Sequence, residues 1–565
     1  MSVEQRLKVV LCWHMHQPQY RLQDEYALPW TYLHATKDYV DMAAHLEADP
    51  EARAVVNFAP ILLEQIDDYA HQVRDHLEHG SPLRDPLLSA LVAEQLPTDP
   101  KARFELAETC LKANRHRLID PFPRYRLLAD LIAWVREHPA ACEYLNDAVL
   151  GDLLVWYHLA WIGETVRRND MRVRRLLEKQ GGYTLEDRRS LLGVMSELLS
   201  GLIPRYRVLA ELGRVELSMT PYAHPIMPLL LDIGSTLEAM PEAPLPDLER
   251  YPGGEDRVRW HLQRGIEVFE RHFGIRPRGC WPSEGSVSAS TLKLLGEQGF
   301  NWTASGETVL SNSLRRSGLK ADVADKSWLY RCYQMDNEGV ACFFRDDGLS
   351  DAIGFEYRDW HADHAVANLV HHLENIAKRT NGRGVVSIVL DGENAWEYYP
   401  NNGYYFLSAL YPALAANPLL ELTTYSRVLE DAACLPLPRM VAGSWVYGSF
   451  STWIGEPDKN RGWEMLGEAK QAFDRAVAEG RLTGEALHAA EDQLAICEGS
   501  DWCWWFGDYN PSGSVSDFES LYRRHLTLLY EMLGEPAPDY LQHRFTHGGG
   551  EPAAGGTMRH GQQPN

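Results

Sequence analysis

The sequence has no CxxC pair, no P-loop, no GxGxxG opening a helix after a strand, and no run long and apolar enough to span a bilayer. The first gap leaves nine scattered cysteines, an odd number, which read as reduced thiols of an intracellular protein rather than as a disulfide framework. The others leave no dedicated cofactor site and no transmembrane helix. Residues 1–8 carry Glu4, Arg6 and Lys8 and lack the apolar core of a signal peptide, so a cytoplasmic location is expected. Basic residues are also scarce. Lys and Arg number 55 against 79 Asp and Glu, a formal charge of −24, which argues against a nucleic-acid or anionic-membrane partner and suits a neutral one such as a sugar.

What is present is ordinary for a globular chain: 45% hydrophobic and 24% charged residues over 565 positions, enough for one large domain with additions or for two to three domains. Aromatic residues are many, with 17 Trp and 26 Tyr. Residues 8–13 read as a buried strand ending in His14, Met15, His16, Gln17 and Pro18. A second strand at 54–58 is followed by Pro60, which opens a helix. Strand alternating with helix predicts a parallel α/β sheet or barrel. From about 80 to 209 the pattern is almost wholly helical and reads as an insertion between strands. Strand signals return at 213–218, 279–281 and 299–305, and then at Val385, Val386, Ser387, Ile388, Val389 and Leu390. This last run is apolar throughout, as in a strand buried on both faces, and it ends in Asp391, Gly392, Glu393 and Asn394. Three units are expected: a barrel over 1–435, a Trp-rich and mainly helical region over 436–545, and a disordered Gly/Pro/Gln-rich tail over 546–565.

The expected strand ends offer polar groups: His14 and His16, Glu216, Glu284, and Asp391 with Glu393. Taken singly, each reads as well as a helix cap or a salt-bridge partner. In a parallel barrel all of them would converge on one mouth. Two carboxylates flanked by histidines and tryptophans are what glycosidic cleavage needs. One acts as nucleophile, the other as general acid and base, and aromatic faces stack on sugar rings.

Five short regions in order carry a resemblance to a known family: His14-Met15-His16-Gln17-Pro18, Gly213-Arg214-Val215-Glu216-Leu217, Trp281-Pro282-Ser283-Glu284, Leu390-Asp391-Gly392-Glu393, and the segment around Trp445, Trp453 and Trp463. The chain resembles glycoside hydrolase family 57. That resemblance implies an α/β fold, an incomplete (β/α)7 barrel with a helical region closing over its mouth, and retaining cleavage of α-1,4 linkages, alone or together with α-1,6 linkages, in α-glucans such as starch, glycogen or maltodextrins. It makes Glu284 the nucleophile and Asp391 the general acid/base, about 5–5.5 Å apart. On that reading Glu284 needs donors that lower its pKa, Asp391 a setting that raises its own, and Glu393 is the expected tuner of Asp391. His14, His16 and Gln17 are expected on substrate hydroxyls. Glu216, His224 and Trp281 are expected in the same pocket, with Trp445, Trp453 and Trp463 as stacking platforms. No metal or cofactor is expected. The rival outcomes are a 4-α-glucanotransferase or 1,4-α-glucan branching enzyme and, more remotely, a zinc amidohydrolase-like barrel or a non-catalytic glycan-binding protein.

Overall fold

A computed structural model describes residues 5–322, 325–335, 339–549 and 557–562. Its centre is a closed barrel of seven parallel strands: β1 (Leu7–Met15), β2 (Ala54–Phe58), β3 (Val215–Met219), β4 (Gly279–Cys280), β5 (Trp302–Gly306), β6 (Ala341–Arg345) and β7 (Val385–Asp391). Strand β7 closes the ring through β1 in the register His14↔Asp391 and through β6 at Ser387↔Arg345.

Alternation along the strands decides which residues meet inside. Val10, Cys12, Val55, Trp302, Ala304, Ala341, Phe343, Val385 and Val389 pack together as the lumen core. Val9, Leu11, Trp13, Val386, Ile388 and Leu390 join the larger core shared with the surrounding helices. The lumen series therefore ends, at the carboxyl edges, in His14, Asn57, Ser218, Arg345 and Asp391. The expected α/β barrel is present.

The helical block between β2 and β3 runs from Pro60–His79 to Leu185–Glu211 and includes Asp147–Ala160. Beyond the barrel, helices Pro457–Ala478, Gly484–Cys497, Asp501–Trp505 and Ser512–Met532 form the C-terminal region.

Two expectations fail. Cys332 and Cys434 form a disulfide, their Cα atoms 4.5 Å apart, because short strands at Tyr333–Gln334 and Leu435–Pro436 pair alongside them. The other seven cysteines are free, as expected. The tail is not disordered throughout: 546–549 and 557–562 are placed, with the His547 backbone N–H on Asp458 at 2.7 Å and Arg559 over Trp504. The remainder of that expectation, 550–556 and 563–565, lies outside the described residues.

Candidate active site

A cavity of about 510 Å³ opens at the carboxyl edge of the barrel, and Glu284 and Asp391 both line it. Glu284 sits on the tight turn Ser283–Gly285 that follows β4, with left-handed backbone angles of φ 56° and ψ 26°. A side chain other than glycine in that region costs about 1–3 kcal/mol and persists where surrounding contacts hold it. Here Trp445 holds it twice. Its backbone N–H donates to the Glu284 carbonyl at 3.0 Å, and its indole N–H donates to Glu284 Oε2 at 3.0 Å. Ser305 Oγ donates to the next carbonyl, that of Gly285, at 2.5 Å.

Asp391 ends β7. Asn394 Nδ2 donates to its Oδ2 at 2.9 Å, so Asn394 steadies the carboxylate instead of capping the following helix. Burial raises Asp391 from the ordinary 3.8 to about 6, against the opposing pull of Asn394, His16 and Arg345. Glu284 also moves up, well above the usual carboxylate range, first through burial and then through the charge of Asp391; Trp445 opposes this. The expectation that donors hold Glu284 low is therefore corrected: one indole N–H does not outweigh burial beside a second acid. Both acids are thus held toward their protonated forms by burial, and the charge of Asp391 adds to the shift of Glu284.

The expected tuner also fails. Glu393 lies past the end of β7, where strand alternation has stopped. It is buried, accepts from Gln17 Nε2 at 3.3 Å, and is pushed well up by burial and by Asp391. Burial, not Glu393, is what raises Asp391.

His14, His16 and His224 gather beside the acids. Asn57 Oδ1 accepts from Thr220 Oγ1 while Asn57 Nδ2 donates to Ser218, so the 2.8 Å contact with His14 Nδ1 makes that nitrogen the donor. His14 Nε2 must then accept from His224 Nε2–H at 3.1 Å, and His224 Nδ1 accepts from Ser500 Oγ at 2.7 Å. This chain keeps both rings neutral. Burial lowers His14 to about 3 and His224 well below its ordinary value. His14 has no ring nitrogen left for substrate, contrary to expectation, and acts as a buried support. His16 donates Nε2–H to Asp501 at 2.8 Å, and its Nδ1 has no partner among the described residues. His16, His224 and Asp501 bring possible metal-ligand atoms within 4.8 Å of one another. The two imidazoles, however, lie face to face at 3.8 Å and 12°, so their lone pairs lie in nearly parallel planes and do not converge on one ion.

Ser500 and Asp501 come from the C-terminal region, at the start of helix Asp501–Trp505, just after the anchored Glu498. This buried carboxylate receives Arg257, His261 Nε2 at 2.8 Å and the Tyr251 hydroxyl at 2.6 Å. Glu498 is held down at about 2: the Arg257 charge and the His261 hydrogen bond outweigh burial, the largest single influence on it, which acts upward. Ser500 N–H also donates to the His224 carbonyl at 2.9 Å.

Several expected site residues lie elsewhere. Glu216 is near the start of β3, at the opposite end of the barrel, where it accepts from Trp302 Nε1 at 2.6 Å and from Ser426 N at 2.9 Å. The strand runs on to Met219, which places Glu216 at the floor. Trp453 is fully buried, and Trp463 donates its indole N–H to the Trp453 carbonyl at 3.0 Å; both pack in the helical region. Trp281 is buried in the lumen core, edge-on to Trp445 at 5.1 Å, and does not line the cavity. His14, His16, Gln17, His224, Glu393 and Trp445 do line the cavity. So do Asp501, Trp504, Trp505, Arg345 and Arg559, which no strand-end pattern in the sequence marks.

The model for the family described as glycosyl hydrolase family 57 matches residues 10–438. No curated protein is significantly similar in sequence. Among solved structures, a branching enzyme of Thermococcus kodakaraensis is 15% identical, with 93% of this chain and 90% of that one covered at a TM-score of 0.57. An α-amylase of Thermotoga maritima is 14% identical, with 95% and 96% covered and a TM-score of 0.58. A branching enzyme of Pyrococcus horikoshii is 14% identical, with the same coverage and a TM-score of 0.55. At these identities the likeness is one of fold.

Proposed function

Given that this chain belongs to glycosyl hydrolase family 57, we propose that it is a retaining enzyme cleaving α-1,4 linkages, alone or together with α-1,6 linkages, in α-glucans by double displacement. The observation that carries this reading is that Glu284 and Asp391 approach one cavity from different strand ends of a closed barrel. In the reactive microstate Asp391 carries a proton and Glu284 is the anion. Asp391, raised by burial, gives its proton to the glycosidic oxygen as that bond breaks. The Glu284 carboxylate, its Oε2 held by the Trp445 N–H, forms the bond to the anomeric carbon. Asp391, now ionised, takes a proton from the incoming hydroxyl, whose oxygen displaces Glu284. The Gln17 side chain and the faces of Trp445 and Trp505 suit hydroxyl and ring contacts at the cavity wall.

Glu284→Ala and Asp391→Asn test the assignment. Each is expected to lose about 10³-fold or more in turnover on an α-glucan, and full turnover in both would refute it. If the acceptor is water the enzyme hydrolyses; if it is a glucan hydroxyl it transfers or branches. Structures of both branching enzymes and an α-amylase share the fold, so the transfer reading stands beside hydrolysis. Incubation with maltoheptaose and with amylose separates them: products longer than the input, or new α-1,6 branches, mean transfer. A cytoplasmic location is inferred from the seven free cysteines, against which stands the Cys332–Cys434 bridge.

A further inference from the structure

One stretch of chain lines the cavity without belonging to the barrel or to the helical region. The five residues Thr557, Met558, Arg559, His560 and Gly561 lie along the wall that also carries Phe355 and Trp504. Their seating is specific. The Arg559 guanidinium lies over both Trp504 and Tyr509, 4.6 Å from each ring, and reaches Thr452 Oγ1 and the Tyr509 hydroxyl at 3.2 Å. The His560 ring stacks on Phe355 at 3.9 Å and 25°. Gly561 N–H donates to Asp351 Oδ2 at 2.9 Å, and its carbonyl accepts from the Tyr447 N–H at 2.9 Å. Only glycine fits there. A Cβ at 561 would lie 2.5 Å from the Asp347 carboxyl carbon and 2.7 Å from Arg345 Nη1, two side chains already paired with each other at 2.8 Å.

Phe355 and Trp504 are the kind of flat apolar surface on which a pyranose ring stacks, and both face the cavity that holds the two acids. Here an imidazole and a guanidinium cover them. We propose that segment 557–561 closes one end of the glucan cleft and thereby sets how long a chain the enzyme accepts. This rests on the α-glucan reading given above. A short oligosaccharide reaches Glu284 and Asp391 beside the seated segment. A long chain has to take the Phe355 and Trp504 surfaces from it, and the Arg559 and Gly561 contacts oppose that exchange.

Two variants test this: a chain ending at Gly549, and full-length Gly561→Leu, whose side chain cannot enter the Asp347–Arg345 site. The readout is kcat/KM on amylose relative to kcat/KM on maltohexaose. In both variants the ratio is expected to rise about tenfold, the gain from recovering roughly 1.4 kcal/mol of contact. An unchanged ratio, or an equal gain on both substrates, would overturn the length-setting role and leave the α-glucan reading standing. Loss of folding in both variants would also overturn it, since the segment would then be a structural brace. If neither the parent nor the variants act on either glucan, the α-glucan reading itself falls and this inference with it.

Discussion

Trp445 binds Glu284 at two points, indole N–H to carboxylate and backbone N–H to carbonyl, each at 3.0 Å, across 161 positions of sequence. The first contact stabilises the charge that the nucleophile needs, and the second keeps a left-handed residue in place. Trp445→Phe removes the first while keeping most of the ring. A hydrogen bond to a charged group contributes about 1.5–3 kcal/mol, so kcat/KM is expected to fall about 10- to 100-fold. Because the lost donor favours the anion, the acid limb of the pH profile should also move to higher pH. A profile superimposable on that of the parent would count against the nucleophile role of Glu284.

Asp391→Asn should separate activity from stability. The folded value, about 6, lies above the ordinary 3.8. The ionised form is thus the disfavoured one in the fold, and stability present below about 3.8 is lost as pH rises through about 6. The amide never ionises. The variant is expected to lose the alkaline limb of the activity profile together with its turnover, and to melt above the parent at pH 7 but not at pH 4. The gap corresponds to at most about 3 kcal/mol, reduced by whatever water enters the cavity. Equal melting temperatures at pH 7 would show that Asp391 is not held in a disfavoured state.

Glu216→Ala gives the opposite pattern. Its carboxylate satisfies the Trp302 indole and both donors of Ser426 at the barrel floor. Leaving those groups unpaired should cost about 1–3 kcal/mol by denaturant titration, with kcat unchanged in the folded fraction. A specific loss of kcat would return Glu216 to the site.

Thiol titration in denaturant without reductant should find seven reactive cysteines, because Cys332 and Cys434 are bridged. The bridge spans 102 positions, for which chain entropy predicts about 4–5 kcal/mol, so Cys434→Ser should lower the melting midpoint clearly. Nine reactive thiols would instead show that the pair is reduced in the native protein.

Much of the barrel was legible because its signals are local. The apolar run before Asp391 and the proline opening Pro60–His79 follow from strand burial and helix sterics alone. The two acids were legible for the same reason, since each follows a readable strand. What misled was the position of a residue along its strand. Glu216 has the same local pattern as a strand-end acid, yet β3 continues to Met219 and puts it at the other end. Trp453 and Trp463 sit among glycines in the sequence, but helix packing buries them, while Trp504 and Trp505 reach the cavity. Nothing local marks His14 as a support rather than a ligand; that follows from Asn57 and His224, neither of which is near it in sequence.

The His16–Asp501 contact joins residues 485 positions apart. On a ribosome adding about 5–20 residues per second, roughly 25–100 s pass between the synthesis of one partner and that of the other. During that interval the barrel can close, since β7 ends at Asp391, but the wall bearing Ser500 and Asp501 does not yet exist. A nascent or prematurely terminated chain thus carries both acids without the groups that orient the histidines beside them. The site is therefore completed only when the segment held by Glu498 docks, late in translation.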